Sequence, residues 1–435
     1  MRSINGLLRS VTVFFCCCCF LSIAATGLAE NVDNDRNRPN VVIIMADDLG
    51  YGDLTSFGGD GSIPTPNIDR LAREGLSFRN FHTNGAVCSP TRASLLTGLY
   101  PQETGIEGVV TAKSHRDTGL KPEEYTLAEF FKGEGYQTAI MGKWHVGYLP
   151  EFGPMVQGFD HFRGFVSGNV DYQSHIDQEG YADWWKAKSL VPEDGYLTDL
   201  ITDHGIRFMN QVQDSPFLLY LAHGAPHYPY QGPDDPADRT VQGDFPVLGS
   251  REDQVTAYKE MIQSLDRNVG RVMNYLEKQN ILEETLVVFL SDNGATTRVG
   301  SNDPFRGSKG QMYEGGHHVP AVFYWEGVTP SGTTDQLALT MDIFPTLIDI
   351  LGATTQRHFS GISLKPVIIG DRQRIQDGSN RTVFWRFRGN KAALMGDWKL
   401  VINDEGEALY DLSRDIGETN NVKQKYPGIF QVMMQ

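Results

Sequence analysis

The sequence predicts an α/β fold: a large domain with a mostly parallel central sheet flanked by helices, plus a small C-terminal antiparallel sheet domain. Three observations predict it. Asn40–Met45, Phe217–Ala222 and Thr285–Leu290 are short, continuously apolar runs, as expected of strands buried on both faces. Helical stretches alternate with these runs, the pattern of a parallel sheet with crossover helices. Residues 355–435 then change character, with short strand-like runs joined by Gly and Asp turns.

Residues 1–29 read as an export signal. Arg2 and Arg9 give the positive end, Val11–Ile23 is apolar, and the small residues Ala24, Ala25, Gly27 and Ala29 place cleavage after Ala29. The apolar run falls short of the roughly 20 residues a membrane span needs. The mature chain is therefore expected in the periplasm or secreted, with no membrane span. Asn40–Met45 is the first strand and ends at Ala46-Asp47-Asp48-Leu49-Gly50. Pro66–Gly75 reads as a helix. Pro90–Thr97 reads as another, with Ser89 as N-cap and Gly98 as terminator. Tyr125–Gly133 is helical, Gln137–Met141 a strand, Asp199–Val212 a helix and Phe217–Ala222 a strand. Asp253–Gln279 is a long amphipathic helix, and the strand Thr285–Leu290 runs into Ser291-Asp292-Asn293-Gly294. Arg381–Arg388, Lys391–Met395, Trp398–Asn403 and Ala408–Leu412 supply the antiparallel sheet. The expected division is a catalytic α/β domain over 38–354 and a small domain over 355–435.

A chain of 435 residues exceeds one ordinary domain. Its 54 acidic side chains outnumber 38 basic ones, for a net charge of −16. That balance argues against nucleic acid or an anionic membrane as the main partner. An anionic substrate requires lysine, arginine and histidine gathered in one pocket. Four of the five cysteines lie in the leader, which leaves Cys88 alone. A lone thiol in an exported chain has no internal disulfide partner, so a chemical role or a modified residue comes first.

Ligands of open α/β sheets sit beyond the carboxyl ends of the strands. Asp47-Asp48 and Asp292-Asn293 each follow a buried strand there. Either pair alone reads as a turn. Together they form an all-oxygen set suited to calcium or magnesium rather than zinc. Cys88 falls at a helix entrance, where backbone N–H groups favour an anion, and Arg92 shares its face. The plainer reading is an inert buried cysteine. The spacing of Lys143 and His145 sends both to one side of an extended segment, although a surface lysine and a core histidine fit as well. His223 and His227 have the spacing of a helical zinc pair, but Pro226 and Pro229 rule out the helix. His227 is left as an acid or base, and His223 is as readily structural. Lys309 lies in a Gly-rich loop that lets backbone approach a ligand, or else is a solvated charge.

Assembled in order, these segments resemble the type I sulfatases, the arylsulfatase-like branch of the alkaline phosphatase superfamily. Cys88-Ser89-Pro90-Thr91-Arg92 with Gly98 is similar to the family's first signature, and Gly135 to His145 to its second. Asn40–Gly50, His223–Pro229, Leu290–Gly294 and Lys309–Pro320 are similar to further family blocks. The resemblance implies an alkaline-phosphatase-like large domain. It implies that a separate maturation enzyme oxidises Cys88 to formylglycine, hydrated as a diol. Asp47, Asp48, Asp292, Asn293 and residue 88 would hold one calcium ion. Arg92 and Lys143 would steady the diol and the sulfate, His145 would contact the diol, and His227 and Lys309 would face the substrate. One diol oxygen attacks sulfur, and deprotonation of the other expels sulfate. His227 or Lys309 is expected as acid and His145 as base. Ser167, Asn169 and His175 all compete for one further family position, so none is carried over.

The expected function is an exported sulfatase acting on sulfated glycans. Asn169–Trp185, with Tyr172, His175, Tyr181, Trp184 and Trp185, suits stacking on sugar rings, or packs as a loop over the cleft. The rivals are a phosphonate monoester or phosphodiester hydrolase, a non-catalytic glycan-binding relative, and a cysteine hydrolase.

Overall fold

The computed structural model describes residues 38–375 and 381–435. The export signal expected over 1–29 lies outside the described residues. Strands β1 (Asn40–Ala46), β8 (Phe217–Ala222) and β9 (Thr285–Ser291) form the centre of a ten-stranded sheet. The sheet is completed by β2 (Leu76–Phe78), β4 (Gln137–Lys143), β5 (His161–Phe165), β6 (Trp185–Lys186), β7 (Ser189–Leu190), β10 (Ala321–Tyr324) and β11 (Gly332–Thr334). The order is β11-β2-β10-β9-β1-β8-β4-β5-β6-β7, and β3 (Phe81–His82) pairs with β12 (Ala338–Leu339) in a separate two-stranded sheet. Pairing is parallel from β9 through β5, while β10, β6 and β7 add antiparallel edges. The mixed but mostly parallel sheet agrees with the sequence.

Two helical layers cover the sheet because alternate residues of each strand face opposite ways. Val42 and Ile44 of β1 pack toward helices α1 (Pro66–Glu74), α4 (Leu197–Gln211) and α5 (Gln254–Lys278). Val41 and Ile43 pack toward α2 (Cys88–Thr97), α3 (Leu127–Gly133) and the helix Ile343–Ile350. Leu364, Val367 and Ile368 join this second layer. Among the described residues no helix is long and apolar enough to cross a membrane.

Two helix starts differ from the sequence reading. Helix α2 begins at Cys88, with Val87 as N-cap and no side-chain cap bond. Ser89 is not the cap, because its Oγ accepts from the Val110 N–H at 3.0 Å and lies inside the first turn. Helix α3 starts at Leu127 rather than Tyr125. There Thr126 accepts from the Glu129 N–H and Glu129 accepts from the Thr126 N–H, a reciprocal pair that sets the first turn.

Strands β13 (Thr382–Phe387), β14 (Asn390–Met395), β15 (Trp398–Asn403) and β16 (Gly406–Asp411) form the expected antiparallel sheet in chain order. Val383, Trp385 and Val401 share a core with Val87, Met312 and Met341. Beneath them lies a buried polar network absent from the sequence reading. Lys399 pairs with Glu314 and its Nζ is 2.9 Å from His317 Nε2. His82 Nδ1 and His317 Nδ1 are 3.1 Å apart, and His318 Nδ1 meets Glu314 Oε2 at 2.9 Å. Glu418 Oε2 accepts from the Glu314 N–H at 2.7 Å, while its Oε1 has no partner. Lys399 is engaged by Glu314, so burial outweighs its pull and pushes the Glu418 carboxyl up to about 8. The folded chain then binds a proton that the unfolded chain, at an ordinary 4.5, has released. That contribution to stability is complete at low pH and is lost as pH rises toward 8. Denaturation midpoints followed from about pH 5 to about pH 9 should therefore fall in the wild type and fall less in Glu418→Gln.

Candidate active site

The register of the central strands builds the site. Ala46 of β1 pairs with Ser291 of β9, so Asp47 and Asp292 leave the sheet side by side. The Asp292 N–H donates to Ala46 O at 3.1 Å, and the Asp48 N–H to Asp292 Oδ1 at 3.2 Å. Ser291 ties the two turns together, with Oγ accepting from the Leu49 N–H at 3.0 Å and donating to Asn293 O at 2.8 Å. Asp48 holds a left-handed φ of 66°, which short polar residues tolerate best. Tyr258 Oη braces that turn by donating to Asp48 O at 3.0 Å.

Helix α2 lies with its first residue over these turns. Cys88 Sγ donates to Asp47 Oδ1 at 3.4 Å and accepts from Lys309 Nζ at 3.4 Å. It is 1% exposed. Burial pushes its thiol well above the ordinary range, and Asp292 and Asp47 add to the effect. A thiolate is disfavoured there. Arg92, one turn along, donates from Nε and Nη2 to Asp292 Oδ2 at 3.1 and 2.8 Å. Its Nη1 donates to Lys143 O at 3.1 Å and reaches Tyr220 Oη at 3.5 Å.

Strand β4 delivers the second signature. Gly142 takes φ 108°, and a Cβ there would come within 2.0 Å of Ala222 O, so only glycine lets β4 and β8 close at this point. Lys143 then reaches Asp47 Oδ2 at 2.5 Å and is fully buried. Trp144 turns away and donates to Phe152 O at 2.8 Å. His145 returns to the site side with φ 59°. Its Nε2 lies 3.1 Å from Val110 O, which makes Nε2 the protonated nitrogen and leaves the buried Nδ1 unpartnered. Burial and Lys143 hold the ring well below the ordinary histidine range.

His227 Nδ1 lies 2.7 Å from Tyr228 O, so it carries the proton, and Nε2 faces Asp48 Oδ2 at 3.7 Å. Burial and Lys309 hold it neutral. Residues 223–229 form turns rather than a helix, held by Tyr172 Oη, which donates to Gly224 O at 2.5 Å and lies 2.9 Å from His227 O. His223 stays apart from the charged groups. Both its ring nitrogens are buried without partners, and burial alone lowers it to about 3. Lys309 approaches from the opposite loop, with Nζ 2.6 Å from Asp48 Oδ1, and at 17% it is the most open of the cations.

The other nine residues expected in the site thus gather around residue 88, while His223 stays apart. Three carboxylates (Asp47, Asp48 and Asp292) face three cations (Arg92, Lys143 and Lys309). Burial and Asp47 push Asp292 above the usual carboxylate range. Burial works the same way on Asp48, but Lys309 and the Asn293 hydrogen bond outweigh it and hold Asp48 below that range. Ligand atoms of Asp47, Asp48, Cys88 and His227 fall within 4.8 Å of one another. Asn293 donates from Nδ2 to Asp48 Oδ1 at 2.7 Å, but its buried Oδ1 accepts nothing. A buried oxygen without a donor, beside three carboxylates, is chemically a place for a hard cation. Tyr220 and Tyr258 were not singled out, because a tyrosine inside an apolar strand or helix carries no signal of its own.

The Sulfatase family model matches residues 39–353. N-acetylgalactosamine-6-sulfatase of Sus scrofa is 32% identical, over 87% of this chain and 74% of the relative. Arylsulfatase A of Homo sapiens is 33% identical, over 94% of this chain and 88% of its own length. The solved complex of Ps i-CgsB with k-i-k-neocarrahexaose has a TM-score of 0.81 at 28% identity, covering 91% of both chains. With the family model spanning most of the chain and relatives above 30% identity along its length, this chain belongs to the type I sulfatases, enzymes that hydrolyse sulfate esters.

Proposed function

We propose that this sulfatase is exported and releases sulfate from sulfated glycans, using residue 88 after its conversion to formylglycine and one calcium ion. The observation that carries the reading is the buried meeting of three carboxylates, one donorless carboxamide oxygen and three cations around residue 88. Asp47, Asp48, Asp292, Asn293 and residue 88 would hold the calcium, an all-oxygen set once the sulfur is replaced. When bound, the ion would supply charge to the sulfuryl oxygens. The carboxylates and cations balance without it, so a divalent ion leaves a local surplus of positive charge in a chain whose net charge is −16. That surplus matches an anionic ester.

The hydrated aldehyde would supply an attacking oxygen and a second hydroxyl, where a buried, neutral thiol offers neither. Arg92 and Lys143, fixed by Asp292 and Asp47, orient residue 88 and the sulfate. The free Nδ1 of His145 takes the proton from residue 88. His227 or Lys309, on the open side, hands a proton to the leaving oxygen. The glycan reading is supported by the likeness to N-acetylgalactosamine-6-sulfatase and by the neighbour solved with an oligosaccharide. A formylglycine-generating enzyme is the required partner. Export rests on residues 1–29. All ten site residues fall within 38–354, which supports that span as the catalytic unit and 355–435 as its small companion.

A panel of nitrophenyl sulfate, nitrophenyl phosphonates and defined sulfated oligosaccharides tests the assignment. Sulfate release is expected from the aryl sulfate and from a subset of the sugars. Faster turnover of the phosphonates would favour the phosphonate hydrolase, and binding of sulfated sugars without any release would favour the non-catalytic relative.

A further inference from the structure

The segment that follows β5 runs past His145 and also borders a cavity outside the residues of the site. Gly168 lies so close to His145 that a Cβ there would meet Nε2 at 2.8 Å. Val166, two residues earlier and just beyond β5, lines a cavity of about 210 Å³ together with Tyr148, Met155, Asp177, Tyr181 and Trp185. That volume is below the roughly 300–1,000 Å³ of pockets that enclose drug-sized ligands, and it suits a single ring.

A buried carboxylate anchors one side of the lining, and exposed side chains make the other. Trp185 stands on β6 opposite Gly164, which leaves the indole room against the sheet. Its Nε1 donates to Asp183 Oδ1 at 2.6 Å. Asp183 also accepts from the Val166 N–H at 3.1 Å and the Ser167 N–H at 2.9 Å. One buried carboxylate therefore fixes both the indole and the segment that borders His145. Asp177 Oδ1 accepts from the N–H groups of Glu179 and Tyr181 at 3.0 and 2.8 Å, and its Oδ2 accepts nothing from the described residues. Tyr181 is 55% exposed, with its face open. Arg116 and Lys188 also line the cavity, beside the apolar Leu149, Pro150 and Phe162. Both are exposed, and neither forms an ion pair among the described residues.

These groups select an occupant by chemistry. Aromatic faces favour the C–H side of a ring, a free carboxylate oxygen accepts a hydroxyl, and unpaired cations attract an anionic substituent. An inorganic anion would leave the aromatic walls unused, and a purely apolar ligand would leave the cations unused. We infer that this cavity is a subsite for a neighbouring sugar ring of the substrate chain, one that bears its own anionic group. The ring is held there while the scissile sulfate lies at residue 88. The inference rests on the glycan reading above and deepens it.

The test compares wild type, Trp185→Ala and the exposed double variant Arg116→Glu/Lys188→Glu. The substrates are nitrophenyl sulfate and 6-sulfated N-acetylgalactosamine, the latter alone and terminating a sulfated disaccharide and tetrasaccharide. In the wild type, kcat/KM should rise at least about tenfold from the monosaccharide to the longer sugars. Both variants should lose about tenfold of kcat/KM on the longer sugars relative to nitrophenyl sulfate, chiefly through KM. The double variant alters only exposed side chains, so it reads out even if Trp185→Ala misfolds. Oligosaccharide cleavage with no length dependence, or with the wild-type ratio kept in both variants, overturns the subsite alone. Turnover of nitrophenyl sulfate with none of any sulfated sugar in the panel overturns the subsite and the glycan reading together.

Discussion

Replacing Cys88 with alanine is expected to lower sulfate release by at least about 10⁴-fold while leaving the fold in place. In the proposed mechanism residue 88 supplies the attacking oxygen, and no neighbour can substitute for it. Asp47, Asp48 and Asp292 are each engaged by a cation, and burial keeps His145 and His227 well below the ordinary histidine range. The structural reason is that the lost contacts are dispensable. Asp47 keeps Lys143 and Lys309 keeps Asp48 when the sulfur goes. The stability change should stay near 1 kcal/mol, the size of an ordinary substitution. Turnover and thermal melting of the purified variant check both halves. Residual turnover above a few per cent of wild type would contradict the nucleophile assignment. Mass analysis of the peptide around residue 88 in the active wild type should find an aldehyde. An unmodified thiol whose alkylation stops the reaction would restore the cysteine hydrolase.

The second large effect is expected at Asp292. Its two oxygens serve different partners: Oδ1 accepts from the Asp48 N–H, and Oδ2 takes the fork of Arg92. Asp292→Asn keeps the shape and removes one of three charges. Arg92 then keeps a buried charge with a weakened partner, which costs about 3 kcal/mol of stability. Calcium affinity should fall more than about 100-fold, beyond the effect of altering a group behind a ligand. The readout does not depend on activity. The melting temperature of chelator-treated wild type should climb as calcium is added, because a ligand bound only by the folded state stabilises it. The melting temperature of Asp292→Asn should stay flat over the same range. A variant that responds like the wild type would remove Asp292 from the metal site, and chelated wild type with full activity would remove the metal from the reaction.

Much of this site is legible in the sequence because its parts lie at strand ends. Phe217–Ala222 is apolar at every position, and a central parallel strand buried on both faces demands that. The turns after β1 and β9 announce themselves as acidic residues following such runs. Spacing alone also puts Lys143 and His145 on one side, with Trp144 opposite. What stays hidden depends on register. Tyr220 reads as one more apolar residue of β8 until pairing sets it beside Ile43 and its hydroxyl near Arg92. Helix α2 starts at Cys88 because the Ser89 hydroxyl binds Val110, a partner with no local signature. The histidine network under the small sheet joins residues 82, 317, 318 and 399, and no segment of the chain carries its pattern.

The neighbours of β1 carry a consequence for how the molecule is made. Asp48 and Asp292 meet only when β9 docks, 244 positions further along the chain. Contacts of such long range form slowly, since a large loop must close before any reward arrives. During synthesis, which proceeds at about 5–20 residues per second, β1 waits for its partner until seven of the ten strands have been made. A truncated product ending before β9 exposes a bare strand edge and aggregates instead of reaching a smaller active form.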